Sequence, residues 1–324
     1  MISTDERRIS EFTINHLMSQ NYVIATKAIL DLEPKLMELI YVSETGGLVC
    51  GRARIGKTHA IAHLTSTISV EYGPDFPVIK WNLTDHVPTE RAFYSDVLMS
   101  LGCTSPTKGA TAMVLKERVL NEMIILGHKT PYKKIVLVID EAWLLSVRDF
   151  QWLMDLYNRL ADHCITLITF LFGTKELLDL KKHLKINGKE QIVQRFMLNE
   201  YSMCGMMDPS EILVCLMDLD EQFMESSEKV LVRDFYFPNA TREGRRFSDL
   251  ADDFYRSFTT LRAQYSIKEQ DIPMKYFMKS VTFLLIRYGR LSKNPIVFPT
   301  YNEIFECVKS SQYCQSSEQS EKSA

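Results

Sequence analysis

The stretch VCGRARIGKTHAIAHL, residues 49–64, constrains the fold of this chain more than any other part of the sequence. It fits the pattern G-x-x-x-x-G-K-[ST], whose fixed positions are Gly51, Gly56, Lys57 and Thr58. In such a loop the glycines let backbone N–H groups wrap around phosphates, and the dipole of the following helix adds positive charge. Because the pattern also occurs by chance, the residues on either side decide its meaning.

Those flanking residues favour a phosphate loop. A short apolar strand is predicted at residues 48–50, and an amphipathic helix follows the loop with Ile61, Leu64 and Ile68 on one face. Strand, loop and helix in this order are the context that a phosphate loop requires, whereas the alternative is a glycine turn beside a solvated lysine. The sequence therefore predicts nucleotide binding by eight consecutive residues. They are Gly51, Arg52, Ala53, Arg54, Ile55, Gly56, Lys57 and Thr58.

A second motif supplies acidic groups. The apolar stretch KKIVLVIDEAWLL predicts a strand that ends at Asp140 and Glu141. At the carboxyl end of a strand in an open α/β sheet, Asp140 would share a Mg²⁺ ion with the Thr58 hydroxyl, while Lys57 reaches the β- and γ-phosphates. Glu141 would activate the attacking water as general base. A small-molecule kinase needs no such glutamate, so the pair favours NTP hydrolysis; the alternative is that Glu141 only starts the next helix.

Two further positions could complete a hydrolytic site. Thr174 follows Gly173 in LFGTKEL and could place a hydroxyl near the γ-phosphate, although a threonine there also suits a helix N-cap. Thr169 is a weaker alternative, because side chains in the middle of a strand alternate into the core. Arg195, at the end of a short predicted helix, could project into the nucleotide site of a neighbouring subunit and stabilise the transferring phosphoryl group. The alternative is a surface arginine paired with a carboxylate such as Glu190 or Glu200.

The bulk composition excludes several classes of protein. The chain has 324 residues, 46% of them hydrophobic, and a formal net charge of -3, so overall charge gives no sign of nucleic-acid binding. Its seven cysteines are scattered without a C-x-x-C pair, which argues against a disulfide framework or a zinc site and favours a reducing cytosol. The sequence shows no secretory signal, and its longest apolar run, residues 165–172, suits a buried strand. We therefore expect a cytoplasmic protein with no membrane partner.

Strand and helix patterns alternate between residues 46 and 205, which predicts an α/β fold with a parallel sheet between helices. Before them, Ile29, Leu32 and Leu36 follow a helical period that Gly46 and Gly47 interrupt. A last strand is predicted at residues 196–201, and helical patterns replace strands beyond residue 205. The predicted domains are an N-terminal helical segment over 1–45, the α/β core over 46–205, a smaller helical region over 206–310 and a disordered tail over 311–324.

With these elements in order, the chain resembles the AAA+ ATPases. Closer still, it resembles the transposition regulators of the TnsC/TniB type, which are related to IstB and helicase-loader proteins and belong in some systems to CRISPR-associated transposons. The resemblance covers residues 25–205 and rests on ATKAILDLEPKLMEL, GLVCGRARIGKT, PTERAFYSDVLMSLG, IVLVIDEAWLL, LITFLFGTKEL and QIVQRFML. It implies a P-loop AAA+ domain with a five-stranded parallel sheet, followed by a smaller α-helical lid domain.

The resemblance also implies a function. Members of this family bind ATP and Mg²⁺, assemble head to tail as rings or filaments on duplex DNA, and link a target-selection adaptor to a transposase, with slow ATP hydrolysis as the switch. Carried over by position, Thr174 is the sensor and Arg195 is the arginine that acts on a neighbouring subunit. The sensor arginine of the lid would be Arg287 or Arg290, and no family motif decides between them.

Contacts to DNA are predicted from local charge, since one or two basic residues in each subunit suffice when they repeat along the phosphates of an assembly. The candidates are Lys108, Arg242, Arg245 and Arg246. A charge cluster is also typical of a plain solvated face. The arginines lie in an irregular stretch, VLVRDFYFPNATREGRRF, that departs from the family pattern and could be an insertion with a partner role.

Two other functions stay open at this point. A helicase loader or another replication AAA+ protein would have the same nucleotide site and a different partner. A signalling P-loop ATPase would use its C-terminal helices to bind another protein and would not bind DNA. Nucleotide-dependent DNA binding separates the first two functions from the third, and co-purification with a transposase or a helicase separates the first from the second.

Overall fold

A computed structural model describes residues 24–85, 87–103, 109–222 and 230–314 of the chain. Helices and strands alternate in its first part, and only helices follow the fifth strand. The elements are α1 (Lys27–Tyr41), β1 (Gly46–Gly51), α2 (Lys57–Tyr72), β2 (Val78–Asn82), α3 (Glu90–Ser100), α4 (Ala112–His128), β3 (Lys134–Asp140), α5 (Val147–Asp162), β4 (Thr166–Gly173), α6 (Lys175–Ile186), α7 (Glu190–Phe196), β5 (Asn199–Met203), α8 (Pro209–Asp220), α9 (Val232–Tyr236), α10 (Pro238–Arg242), α11 (Ala251–Gln264), α12 (Met274–Tyr288) and α13 (Tyr301–Ser310).

The described residues group into two compact units. The sheet unit comprises Asp31–Ala53 and Ala60–Met203. The helical unit comprises the described parts of Met1–Leu30, Arg54–His59 and Cys204–Ala324. The second half of the predicted phosphate loop thus groups with the helical unit, and the first half with the sheet unit.

The sheet has five parallel strands in the order β2-β3-β4-β1-β5. Cys50 of β1 lies opposite Gly173 of β4, and Ile139 of β3 lies opposite Leu171. Since the strands are parallel and in this register, the carboxyl ends of β1, β3 and β4 meet at one edge of the sheet. The predicted α/β fold with a five-stranded parallel sheet and a following helical region is confirmed.

Both faces of the sheet are buried. Along β3, Ile135, Leu137 and Ile139 belong to a core formed with helices α3 to α7. Val136 and Val138 point to the opposite face and are equally buried. Strands covered on both sides carry apolar residues at every position, which is why KIVLVI was readable as a strand.

Glycines at the start of β1 are part of the strand, so the prediction that Gly46 and Gly47 separate the first helix from the strand was wrong by two residues. A Cβ at Gly46 would lie 2.8 Å from the carbonyl oxygen of Thr169, so a side chain there would collide with the neighbouring backbone. A Cβ at Gly47 would lie 3.1 Å from the Cδ1 of Leu39. These glycines are needed for close packing of the strand.

The helical unit has an aromatic core. The rings of Phe254 in α11 and Phe277 in α12 meet edge to face with centroids 5.4 Å apart. An antiparallel bridge joins Met206 to Ile272, and the carboxylate of Asp220 accepts hydrogen bonds from the backbone beyond α10. The stretch predicted as irregular forms two short helices, α9 and α10, because its apolar residues are buried in this core.

The predicted disordered tail begins too early. Residues 311–314 form a turn after α13, and Ser311 and Tyr313 are buried. The Tyr313 ring packs against Phe258 with centroids 5.1 Å apart, so a single aromatic residue anchors this end of the chain. Residues 315–324 lie outside the described part.

The remaining differences concern element boundaries. The strand predicted at residues 196–201 runs from Asn199 to Met203, because Phe196 is the last residue of α7. The first 23 residues of the predicted N-terminal segment lie outside the described part, and α1 begins at Lys27. None of the helices in the described ranges combines the length and the apolar character needed to cross a membrane.

Candidate nucleotide site

The phosphate loop follows a fully buried strand. β1 ends at Gly51, and Arg52 and Ala53 after it are exposed. Ile55, in the middle of the loop, is buried. Helix α2 begins at Lys57, which is the position that the motif requires for the helix after the loop.

The backbone of the loop takes left-handed conformations at two positions. Gly56 has φ +111°, and a Cβ at this position would meet only open space, so glycine is required there by the backbone angle rather than by crowding. Arg54 has φ 70°, which is uncommon for a residue with a side chain. Its carbonyl accepts a hydrogen bond of 3.3 Å from the Lys275 N–H, and its guanidinium donates to the Tyr276 hydroxyl. These two bonds hold Arg54 in place within the helical unit.

The charged and polar side chains of the loop differ in exposure. Lys57 is 7% exposed, so its ammonium group is largely withdrawn from solvent, while Thr58 is exposed at the first turn of α2. Burial lowers the pKa of the neighbouring His59.

β3 delivers the acidic pair to the edge of the sheet. Asp140 is the last strand residue and is 8% exposed, and its Oδ1 accepts a hydrogen bond of 3.0 Å from the Glu141 N–H. Glu141 has φ 54° and ψ 37°, where the chain leaves the strand for a 3-10 turn at Ala142–Leu144. Its carboxylate makes no capping bond to that turn, and α5 starts later with a capping box of its own at Ser146. Glu141 thus occupies the N-cap position of the 3-10 turn, as the alternative allowed, but it makes no capping bond and does not start α5.

The carboxylate of Glu141 has another partner. The indole Nε1–H of Trp143 donates a hydrogen bond of 2.7 Å to Glu141 Oε2. Sequence reasoning assigned no role to Trp143, although an aromatic residue two positions after the acidic pair was visible in IDEAWLL. This contact depends on the left-handed backbone at Glu141, which a sequence pattern does not reveal.

Thr174 occupies the N-cap position of α6 at the end of β4, but its hydroxyl makes no capping hydrogen bond. It instead bonds the carboxylate of Glu176, and this bond lowers the pKa of Glu176. The N-cap alternative is thus correct in its position but wrong in expecting a capping hydrogen bond from the hydroxyl. The hydroxyl of Thr169 is fully buried in β4 with no hydrogen-bond partner among the described residues, which places it in the core as expected.

Arg195 is held by helix α5 of its own unit. Its guanidinium donates a hydrogen bond of 3.0 Å to Asn158 Oδ1 and lies 4.3 Å from the centre of the Tyr157 ring. Glu200, suggested as its partner, pairs with Lys181 at 2.7 Å. The surface ion pair is therefore wrong, and neither Asn158 nor Tyr157 could have been found from sequence, because they lie 37 and 38 positions away.

The donor set fits a magnesium nucleotide. Within the described ranges, no group of three or more His, Cys, Asp or Glu side chains could hold a metal ion by itself. In P-loop proteins the phosphate oxygens, water and one hydroxyl fill most positions around Mg²⁺, so such an ion needs few protein groups. A buried lysine and a buried aspartate, at the ends of the two motifs, match the opposite charges of phosphate and metal.

The candidate DNA and sensor arginines have different surroundings. Arg245 lies 4.5 Å from the centre of the Phe298 ring, and the exposed Arg246 follows it. Arg287 donates a hydrogen bond of 2.8 Å to Ser310 Oγ and stacks on Phe283. Lys108 lies outside the described residues.

Arg242 and Arg290 come together in the helical unit. Both line a cavity of about 490 Å³ formed by the α9–α10 segment and the chain after α12. The backbone N–H of Arg290 donates a hydrogen bond of 2.9 Å to the Tyr236 carbonyl. The sequence assigned these arginines to separate roles, and their proximity is visible only in the fold.

Comparison with known proteins supports the class of the first half of the chain. Residues 42–180 match the model of the family described as AAA domain, which is somewhat less than half of the chain. Over this segment the chain is similar to AAA domains, which supports the expected P-loop character of residues 42–180. No curated protein matches the sequence.

Several solved structures are similar in outline. They are the Aeropyrum pernix ORC2 protein (TM-score 0.48, 10% identity, 93% of this chain and 97% of that one), Cdc6p from Pyrobaculum aerophilum (0.46, 14%, 92% and 83%) and domain III of the Thermotoga maritima replication initiation protein DnaA (0.45, 12%, 96% and 98%). TM-scores below 0.5 at these identities carry no argument about function, so the TnsC/TniB type stays a prediction.

Proposed function

We propose that this chain is an ATP-hydrolysing regulator that assembles on duplex DNA and links a target selector to a transposase. The AAA-type domain supports nucleotide binding. The finer assignment to transposition rests on the sequence segments that resemble the TnsC/TniB type, above all PTERAFYSDVLMSLG and LITFLFGTKEL. ATP with Mg²⁺ is the expected cofactor, and hydrolysis acts as the switch.

One observation carries the ATPase part of this proposal. The strand before the phosphate loop and the strand that ends in Asp140 and Glu141 reach the same edge of one parallel sheet, separated only by β4. Ligands of open α/β sheets bind outside the carboxyl ends of the strands. The loop and the acidic pair therefore serve one site in this proposal.

Each residue then has a defined task. Lys57 neutralises phosphate charge, Thr58 and Asp140 hold the metal, and Glu141 accepts a proton from the attacking water. Thr174, at the end of the neighbouring strand β4, orients that water through its hydroxyl. Bound ATP and Mg²⁺ supply the phosphoryl group and the metal charge for this chemistry.

Arg195 acts on a second subunit. In a head-to-tail ring or filament its guanidinium would reach the nucleotide of the neighbour and stabilise charge on the transferring phosphoryl group. The stacking on Tyr157 and the bond to Asn158 support this role, because they restrict the guanidinium to few orientations before assembly. Because it requires a second subunit, ATP hydrolysis assisted by Arg195 rises with protein concentration.

DNA binding is proposed through phosphate contacts that repeat along the assembly. Arg242 is a candidate among the described arginines, since it is exposed. Arg245 and Arg246 flank it, and Lys108 is a further candidate. Contacts of this type make affinity fall steeply with salt and depend little on sequence.

Electron microscopy of the full chain with duplex DNA tests the proposal, with an ATP analogue, with ADP and without nucleotide. We expect rings or filaments on DNA only with the ATP analogue. The same preparation of Lys57→Ala should form none, because loss of the buried ammonium weakens binding of the triphosphate by roughly a hundredfold. The matched control is Lys182→Ala, which removes a solvated lysine that is 72% exposed.

The outcomes separate the candidate functions. Assembly on DNA that pulls down a transposase supports the proposal, and assembly that recruits a helicase favours a helicase loader. ATP binding without any DNA-bound assembly would overturn the DNA-binding part and favour a signalling ATPase. Undiminished filaments with Lys57→Ala would contradict nucleotide switching itself.

A further inference from the structure

The cavity beside the α9–α10 segment has the size of a ligand site. Its volume is about 490 Å³. Sites for small molecules and cofactors typically measure roughly 300–1,000 Å³. Part of the lining is apolar and comes from Pro238, Ile296 and Val297. Because Val297 is 61% exposed, this apolar wall is open to an incoming molecule rather than sealed within the core.

The charged residues that line the cavity, among those that the structure describes, are both arginines. Arg242 is the last residue of α10, Arg290 belongs to the chain after α12, and both are exposed. Guanidinium groups bind carboxylates and phosphates through paired, charge-assisted hydrogen bonds. The lining therefore favours an anionic group over a neutral or a cationic one.

The lining also contains a buried hydroxyl group that lacks a partner. Tyr236 is 1% exposed, and its hydroxyl makes no hydrogen bond to any residue in the described ranges. Burial raises the pKa of Tyr236, so the hydroxyl keeps its proton and stays a donor. Because buried polar groups are nearly always hydrogen-bonded, this donor calls for an acceptor. An oxygen atom of a bound anion would supply one.

Close backbone contacts hold the walls of the cavity in place. The Arg290 N–H donates a hydrogen bond of 2.9 Å to the Tyr236 carbonyl, and the Ile296 N–H donates one of 3.1 Å to the Tyr288 carbonyl. A Cβ at Gly289 would lie 2.6 Å from Cδ1 of Tyr236, so glycine lets the chain pass close to the ring. The cavity is thus preformed, which lowers the entropic cost of binding a ligand.

The aromatic residues of the lining argue against a nucleotide base as the ligand. Tyr236 and Phe237 are 1% and 2% exposed, and Phe237 meets the rings of Phe247 and Phe298 edge to face. Proteins hold unpaired bases by stacking them on accessible aromatic faces. Rings that are packed this deeply offer no such face, so an aliphatic body suits the apolar wall better than a base does.

We propose that this cavity binds a small organic anion, in which a carboxylate or phosphate group is joined to an apolar body. Arg242 and Arg290 bind the anionic group, the Tyr236 hydroxyl donates a hydrogen bond to it, and the apolar wall packs against the body. The inference goes beyond the proposed function, because binding in this cavity requires neither ATP nor DNA. Arg242 is also a candidate contact to DNA phosphates, so binding is measured without DNA.

Four probes with the same six-carbon chain test the chemistry of the cavity. Hexanoate and hexyl phosphate are anionic, hexanol is neutral and hexylamine is cationic, and each is titrated into the full chain by ligand-observed NMR. We expect a dissociation constant on the order of 0.1–1 mM for the better anion and binding about tenfold weaker or worse for hexanol and hexylamine. The tighter anion shows whether the cavity prefers a carboxylate or a phosphate.

Variants test whether the anion binds in this cavity. Arg242→Gln and Arg290→Gln each remove one guanidinium group and should weaken binding of the better anion about tenfold. The matched control is Arg246→Gln, the same change at an exposed arginine outside the lining, and its affinity should equal that of the wild type. Circular dichroism checks that each variant is folded.

The hydroxyl is tested by Tyr236→Phe, which keeps the ring. This variant should weaken binding about threefold to tenfold without lowering the melting temperature, because among the described residues the hydroxyl has no partner to lose. A merely structural hydroxyl would give the reverse, a lower melting temperature with unchanged affinity, and that result would contradict the proposal.

Three further results would overturn the inference. The first is the absence of binding by either anion at about 10 mM. The second is hexanol or hexylamine that binds as tightly as the anions, since charge would then have no role. The third is wild-type affinity in both Arg242→Gln and Arg290→Gln. ATP turnover and DNA-bound assembly are measured separately, so failure of the proposed function leaves these outcomes unchanged.

Discussion

The sheet unit and the helical unit are both well packed, but they differ in where their polar and charged side chains lie. In the sheet unit, strands with buried side chains on both faces end at one edge, where Asp140, Glu141 and Thr174 follow one another across neighbouring strands. The helical unit has an aromatic core, and a cavity lined by the α9–α10 segment and the chain after α12 takes its charged lining from Arg242 and Arg290. The sheet edge presents carboxylates and a hydroxyl, and this cavity presents guanidinium groups.

This difference shows how far the functional residues of each unit can be predicted from sequence. Parallel strands impose a rule on where chemistry can occur, because their carboxyl ends share an edge. Helices impose no such rule, so the same arginine is a solvated charge or a ligand contact according to what packs beside it. Substitutions at the carboxyl edge of the sheet should therefore alter chemistry or strand packing, and substitutions of buried residues in the helical core should alter the stability of that core.

The largest expected effect is on chemistry in the sheet unit. Glu141→Gln should lower ATP turnover by about 10²–10⁴-fold, because the amide cannot accept the proton of the attacking water. ATP should stay bound, and the DNA-bound assembly should persist. Turnover and binding of a fluorescent ATP analogue measure the two effects, with the wild type as reference. Rapid hydrolysis by Glu141→Gln would contradict the role of Glu141 as the general base.

A buried carboxylate tests the helical unit. Asp220 is 3% exposed and accepts hydrogen bonds of 2.8 Å and 3.0 Å from the N–H groups of Phe247 and Ser248. Asp220→Ala should lower the free energy of unfolding by about 2–4 kcal/mol, since two backbone donors lose their acceptor. Urea unfolding measures the loss, and the less buried Asp218→Ala on the same helix is the control.

We expect Asp220→Ala to leave ATP turnover unchanged at a temperature where the variant is folded, which would separate the stability of the helical core from the chemistry at the sheet edge. Equal destabilisation by Asp220→Ala and Asp218→Ala would show instead that the two hydrogen bonds contribute nothing specific to the helical unit.

A glycine pair tests the packing of the sheet unit. Gly46→Ala should lower the free energy of unfolding by about 1–3 kcal/mol, because its Cβ would stand 2.8 Å from the Thr169 carbonyl oxygen and backbone cannot easily move. Gly47→Ala should be milder, since the nearest atom is the end of the Leu39 side chain at 3.1 Å. Thermal unfolding of both variants checks the order. A larger loss for Gly47→Ala would contradict the role assigned to the β1–β4 backbone contact.

The smallest effect concerns a titration at the sheet edge. The Thr174 hydroxyl holds the pKa of Glu176 below its ordinary value, so Thr174→Val should raise that pKa. A depressed carboxyl pKa contributes stability above the pKa of the unfolded chain and loses it as pH falls through the folded pKa, and the variant lacks this contribution. Carboxyl chemical shifts against pH measure the change, and Thr174→Ser should behave as the wild type. An unchanged pKa of Glu176 in Thr174→Val would contradict the hydrogen bond between the Thr174 hydroxyl and the Glu176 carboxylate.

The strands of the sheet were predicted from sequence to within a few residues, because burial on both faces demands continuous apolar runs such as KIVLVI. Boundaries failed where tertiary packing overrode a local signal. Gly46 reads as a breaker but joins the strand through its close approach to Thr169, and Phe196 reads as a strand residue but ends α7. Tyr313 was predicted to lie in a disordered tail, because nothing near it in the sequence indicates that its ring packs against Phe258.

For the candidate site, the sequence supplied which residues to examine and the structure supplied their partners. The motifs themselves named Lys57, Asp140 and Glu141, since phosphate chemistry requires fixed residue types at fixed spacing. The alternative of a carboxylate partner for Arg195 was wrong, because helix α5 offers it an amide and a ring instead.

The amino-acid sequence by itself determined the order of strands and helices, the phosphate-loop pattern and the acidic pair, because each of these depends on neighbours within a few positions. Only the tertiary structure decided that Trp143 holds Glu141, that Asn158 and Tyr157 hold Arg195, and that one cavity brings two arginines together. These contacts depend on backbone angles and on residues distant along the chain, and such information exists only once the chain has packed.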